Sequence, residues 1–208
     1  MARLSRQEAQ ALTRENLLET AVEHFLECGY AAASLDQIAE DAGYSKGAVY
    51  SNFKNKDQLC DEVLGRIRMS KVGEIAGHLT SGTSLDAALV DFEHWAERTI
   101  GDKRWTLLEV EFSVRARHSD EIKDKIASGA DHARALIATV LRHLATASGV
   151  TLDMDPDAAA LRILSVGVGL GLQRAIDPEL PVGPLVDTVR EILQVDVPRA
   201  SSTVGGAH

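Results

Sequence analysis

Apolar residues recur along nearly the whole chain at spacings of three and four, the period of a helix buried on one face. Leu17, Leu18, Ala21, Val22, Phe25 and Leu26 share such a face and Gly29 supplies a stop, which predicts a helix from about Gln7 to Cys28. Ser34 caps the next helix, with Gln37 three residues on in a capping-box pattern. Its Leu35, Ile38, Ala39 and Ala42 face one way, and Gly43 ends it. Ser45 caps a third, short helix whose inward residues are Ala48, Val49 and Phe53. A fourth, long helix starts at Asn55 or Lys56 and carries Leu59, Val63, Ile67, Ile75 and Leu79 inward. The pattern then predicts helices at 84–100, 103–117, 119–147, 155–176 and 182–194, each break holding a turn or capping residue. No stretch alternates convincingly with β-branched residues, so the fold class is all-α. The tail 198–208, PRASSTVGGAH, is small and polar and is expected to be disordered.

With 208 residues, 45% hydrophobic and 25% charged, the chain can bury one large core or two small ones. Its longest apolar run, ILSVGVGLGL at 163–172, falls short of the ~20 residues of a spanning helix. The N-terminal residues turn polar at once and offer no signal-peptide core, so a cytoplasmic address without a membrane partner is expected. Cys28 and Cys60 are too few for a disulfide framework. His24 and Cys28 stand four apart, but with no second pair they read as a structural histidine and a packed thiol, and no metal or cofactor is expected. No nucleophile elbow or P-loop occurs, and the glycines of GVGLG have no strand before them, which leaves an all-helical enzyme as a remote alternative. The net charge of −9 excludes a protein coated in basic charge. It leaves room for one basic face: Lys46, Lys54 and Lys56 occupy a stretch without an acid between Asp41 and Asp57.

That stretch belongs to SLDQIAEDAGYSKGAVYSNFKNKDQL, residues 34–59. Two short helices joined by a tight glycine turn form a helix-turn-helix, whose second helix enters a DNA major groove. Ala39 is small where the second helix crosses, Gly43 takes a turn conformation that a side chain opposes, and Val49 plugs the angle. Gly47 and Ala48 keep the outer helix slim against base edges, while Lys54 and Lys56 stand where the chain leaves the groove, suited to phosphates.

Together with the preceding AVEHFLECGYAAA and the Tyr-x-x-Phe of AVYSNFKNK, this segment resembles the DNA-binding part of the tetracycline-repressor (TetR) family of bacterial transcription regulators. The segment VGVGLGLQRAIDPE is similar to one seen in many members. The resemblance implies a DNA-binding domain at 1–56 and a helical ligand-binding and dimerisation domain at 57–197. Its implied partners are double-stranded operator DNA, a second copy of the chain and a small-molecule effector that changes the spacing of the DNA heads, with the fourth helix as lever. It places Lys46 and Gly47 at base edges, Tyr50 against the sugar-phosphate backbone, and Ser34 and Lys56 on phosphates. Ser45, Ala48, Ser51, Asn52 and Lys54 share that surface.

The middle helices offer Trp95, Trp105, Glu109, Phe112 and Arg115 as effector-site candidates, although either tryptophan could equally be plain core. Aromatics make up only 4% of the chain, which favours an aliphatic or acyl ligand over a planar one. Glu111 and Arg115, four apart, read as a helix-surface pair. Leu164, Gly167, Val168, Gly171, Leu172 and Val189 are candidates for a two-fold interface, with ordinary packing inside one chain as the alternative. A regulator that acts constitutively or through a protein partner also remains open.

Overall fold

The computed structural model describes residues 5–79 and 84–195, and its regular elements are all helical. A capping box starts α1 (Arg6–Ala32): Ser5 Oγ accepts from the Glu8 N–H at 3.2 Å, and the Glu8 carboxylate accepts from the Ser5 N–H at 2.7 Å. Gly29 at φ 76° and ψ 177° breaks the helical path, so the regular helix stops at Cys28, where the periodicity puts its end, and a further turn follows. Next come α2 (Leu35–Asp41) and α3 (Lys46–Asn52). The capping box expected at Ser34 does not form. Ser34 makes no side-chain cap bond, and Gln37 donates to Asp41 Oδ1 at 2.9 Å instead. Ser45 also begins its helix through extended backbone alone.

The larger set is α4 (Lys56–Leu79), α5 (Leu85–Thr99), α6 (Lys103–Arg115), α7 (Asp120–Ser148), α8 (Pro156–Arg174) and α9 (Gly183–Ile192). Ser84, Asp102, Ser119 and Asp155 cap four of these by accepting N–H groups two or three residues on. The Leu79 side chain and the tail from Pro198 lie outside the described residues. Among the described residues no helix is long and apolar enough to cross a membrane.

Two apolar cores organise these helices. The first joins Leu17 and Phe25 of α1, Ile38, Val49 and Phe53, and Leu64 of α4, and it takes in Leu108 and Phe112 of α6. Packing therefore runs across residue 56. The second gathers Phe92 and Trp95 of α5, Leu141 and Leu144 of α7, and Leu185 and Ile192 of α9. One arginine ties the far end together: Arg174 donates to the carbonyls of Ile100 at 2.8 Å, Glu97 at 3.2 Å and Leu180. These oxygens belong to the frayed end of α5 and to the turn after α8, so the guanidinium satisfies acceptors the helices leave open.

Candidate nucleic-acid interface and ligand cavity

Ile38, Ala39 and Val49 are buried in the angle between α2 and α3. Gly43 turns the chain at φ 76°, and the Tyr44 N–H closes the turn on the Ala39 carbonyl at 2.8 Å. With the inner face of α3 used in this way, its outer face presents Lys46, Gly47, Tyr50 and Ser51 to solvent. Ser34, Ser45 and Lys54 are exposed as well. Lys46 is held 2.5 Å from Asp36 Oδ2, which raises its pKa, and Lys54 lies 3.6 Å from Glu121. Both pairs are solvent-exposed, so exchanging the acid for a DNA group costs little.

Ala48, read as inward-facing and also as part of the DNA surface, is half-buried, and two of the selected residues differ from expectation. Asn52 folds back on its own helix, its Nδ2 donating to the Ala48 carbonyl at 2.7 Å, and its buried Oδ1 has no partner among the described residues. Lys56 turns inward: its Nζ donates to the Ala31 carbonyl at 3.1 Å and rests 4.6 Å from the centre of the Tyr30 ring. Burial lowers its pKa, and a carbonyl and an aromatic face satisfy the charge where a phosphate was expected.

Behind this head a polar cluster joins α1, α4 and α6. The Tyr30 hydroxyl donates to Asp57 Oδ1 at 2.5 Å, and Arg115 Nε donates to the same oxygen at 2.8 Å. Burial alone would raise the Asp57 pKa, but these two hydrogen bonds bring it below the usual value. Burial, then the bond to Asp57, pushes the Tyr30 phenol up. Glu111 accepts from the backbone N–H groups of Tyr30 at 2.7 Å and Ala31 at 3.3 Å. The expected Glu111–Arg115 surface pair is thus replaced by two contacts that reach other elements. His24 pairs with Asp41 at 2.8 Å, while Cys28 is exposed rather than packed, its thiol donating to the His24 carbonyl at 3.0 Å. No group of three or more metal-ligating side chains occurs among the described residues.

A cavity of about 630 Å³ lies among α4 to α9, within the size range of small-molecule sites. Trp95, Trp105 and Glu109 line it. Phe112 and Arg115 do not: Phe112 is sealed in the first core beside Tyr30, and Arg115 spans to Asp57. Among the lining residues that sequence reasoning missed are two basic ones, Arg68 and Lys71. Their signal was present, since they fall in helical register with Val72 and Ile75 and so place basic groups beside an apolar face. Arg68 Nε donates to Glu109 Oε1 at 2.7 Å, and the Lys71 ammonium lies 4.8 Å from the centre of the Trp105 ring. The indole N–H groups of Trp95 and Trp105 are buried without an acceptor among the described residues.

The candidate interface residues divide. Leu164, Gly167 and Gly171 line the cavity from α8, and Val189 is buried in the second core, so these serve packing within one chain. A side chain at Gly167 would touch Leu185 of α9, and one at Gly171 would touch Gly101 and Ile100. Val168 and Leu172 also border the cavity but remain 60% and 42% exposed.

Two family models match the chain: bacterial regulatory proteins of the tetR family over residues 17–63, and the C-terminal region of BetI-type transcriptional repressors over 92–195. The chain is 34% identical over 111 residues to the HTH-type transcriptional regulator AcrR of Shigella flexneri, covering 52% of this chain and 51% of that protein. With SrpR of Pseudomonas putida, another HTH-type transcriptional regulator, it shares 29% over 175 residues, 83% of this chain and 76% of that one. A solved TetR-family regulator from Rhodococcus sp. superposes with a TM-score of 0.71 over 88% of this chain and 99% of that one at 18% identity, which shows a common helical fold. These matches lead to one conclusion: the chain belongs to the TetR family of bacterial transcriptional regulators.

Proposed function

We propose that the protein is a cytoplasmic repressor that binds a palindromic operator as a homodimer and leaves it when a small molecule enters the C-terminal cavity. The observation that carries this reading is the combination in one chain of a solvent-facing recognition helix and an apolar cavity of about 630 Å³, joined by helices that touch both. Residues 1–56 act as the DNA-reading unit and 57–197 as the effector and dimer unit. Lys46, Gly47, Tyr50 and Ser51 approach the major groove, and Ser34, Ser45 and Lys54 approach phosphates.

Two helices supply the coupling. α4 runs from Asp57 beside the head to Arg68, Lys71 and Ile75 at the cavity. α6 lines the cavity with Trp105 and Glu109 and holds the head through Glu111 and Arg115. An occupant that separates α4 from α6 shifts the head, and it releases DNA only as far as it prefers the shifted state. An open cavity favours this reading over constitutive action, which would suit a filled core.

Dimerisation is supported by the outer face of α8. Leu161, Val168 and Leu172 of α8 are 52%, 60% and 42% exposed, and Ile176, in the turn just beyond the helix, is 79% exposed. This group of exposed apolar side chains, interrupted by Ser165, marks an interaction surface. The deciding experiment is selection of sites from a random double-stranded DNA pool at stated salt. Enrichment of a palindrome with half-sites about one turn, ~34–36 Å, apart is expected. Absence of enrichment at low salt would defeat the operator reading.

A further inference from the structure

We infer that the cavity takes an aliphatic monoanion, such as a long-chain carboxylate, with its head between α4 and α6 and its chain toward α5, α8 and α9. The inference rests on the reading of this cavity as the effector site and adds the chemistry of the occupant. The lining is strongly polarised. Its charged and hydroxyl residues, Arg68 and Lys71 of α4 with Thr106, Glu109 and Ser113 of α6, come from two helices. The walls supplied by α7, α8 and α9 are aliphatic or glycine, with Ile137, Val140 and Leu164 as examples, and α5 adds Leu85 and Leu89 beside Phe92 and Trp95.

Charge then selects the head. Among the described residues, the charged groups in the lining are Arg68, Lys71 and Glu109. Arg68 neutralises Glu109 at 2.7 Å, which leaves the ammonium of Lys71 without a carboxylate partner among the described residues. A cationic occupant would add to that charge and a neutral one would leave it with the Trp105 ring alone, whereas an anion compensates it beside mostly apolar walls, where the attraction is stronger than in water. On α7, a side chain at Gly129 would lie 2.9 Å from Arg68 Nη1, so the glycine lets the guanidinium lie across that helix.

The tail follows from shape and composition. Of the aromatic rings in the lining, Phe92 and Trp95 are stacked on each other at 5.8 Å, and Trp105 is covered by Lys71. The branched aliphatic walls suit a flexible chain.

The chain contains two tryptophans, and both line the cavity, so intrinsic fluorescence reports occupancy directly. The purified full chain is titrated with dodecanoate, dodecanol and dodecyltrimethylammonium, all below micelle formation. Saturable binding of dodecanoate, about tenfold tighter than either of the others, is expected. Lys71→Gln should weaken dodecanoate about tenfold and leave dodecanol unchanged, and Lys71→Glu should move the preference to the ammonium. Preference of the native chain for the alcohol or the ammonium would overturn the inference. So would no saturable change with any probe, or an equal loss for all three in Lys71→Gln. The same ligands are then added to protein bound to its selected DNA. Dodecanoate that binds without loosening DNA leaves the ligand class standing and removes the release mechanism. An ammonium that binds and releases DNA keeps the mechanism and removes this ligand class.

Discussion

Gly101 shows how much a single missing side chain can decide. It sits at φ 89°, and a Cβ there would collide with the Cβ of Arg174, the residue that clamps the carbonyls of Ile100, Glu97 and Leu180. Gly101→Ala should therefore cost about 2–4 kcal/mol, combining left-handed strain with overpacking, and thermal unfolding would show it. Gly47 provides the control, because it is exposed on α3 and a Cβ would meet only Ser45 Oγ at 3.7 Å. Gly47→Ala should leave the unfolding midpoint in place and act on DNA affinity alone; equal loss in both variants would mean the Arg174 clamp is not the cause. Such pairs also separate what the sequence reveals from what it conceals. Gly29 and Gly43 were legible because each interrupts a helical period, and both take φ 76°. The inward turns of Lys56 and Asn52 were not legible. Local pattern cannot tell that a carbonyl and a ring from residues 30 and 31 come to lie against residue 56.

At the scale of elements, helix positions were readable because each has its own period and punctuation, and the helix-turn-helix was readable because its small residues fall at fixed offsets. The division of labour on α6 was hidden. Its periodic face shows that the helix is buried, but not that Leu108 and Phe112 enter one core while Trp105 and Glu109 border a cavity. That split depends on α1 and α7, far away in sequence. The link from α6 to α4 can be probed by pH. Asp57 has a lowered pKa in the folded chain, held there by Tyr30 and Arg115, so its contribution is present above the unfolded value of ~3.9 and disappears as pH falls through the lower folded value. Asp57→Asn should accordingly be less stable than the native chain at neutral pH. The gap in urea midpoint should close as pH falls below about 4. A gap that stays constant from neutral to acid would show that the carboxylate charge contributes nothing to holding α6 against the DNA head.

For the whole molecule, the outer face of α8 raises a question that one chain cannot answer by itself. Leu161, Val168 and Leu172 of α8, and Ile176 just beyond it, would remain wet in a monomer, although α8 turns Gly167 and Gly171 toward its own chain. A second copy related by two-fold symmetry covers such a stripe with its own equivalent, since an isologous contact is self-complementary. It also places two recognition helices on one DNA molecule, so each half-site gains from the tethering of the other. Leu161 and Ile176 are the informative positions because neither borders the cavity. Leu161→Glu combined with Ile176→Glu sets like charges against each other across the axis. The double variant should sediment as a monomer at micromolar concentration and lose about 100-fold or more in operator affinity. Its fluorescence response to dodecanoate should stay close to that of the native chain, because the lining of each cavity is intact. A native chain that already sediments as a monomer would assign the stripe to another partner. A double variant that remains dimeric would move the two-fold contact off this face of α8.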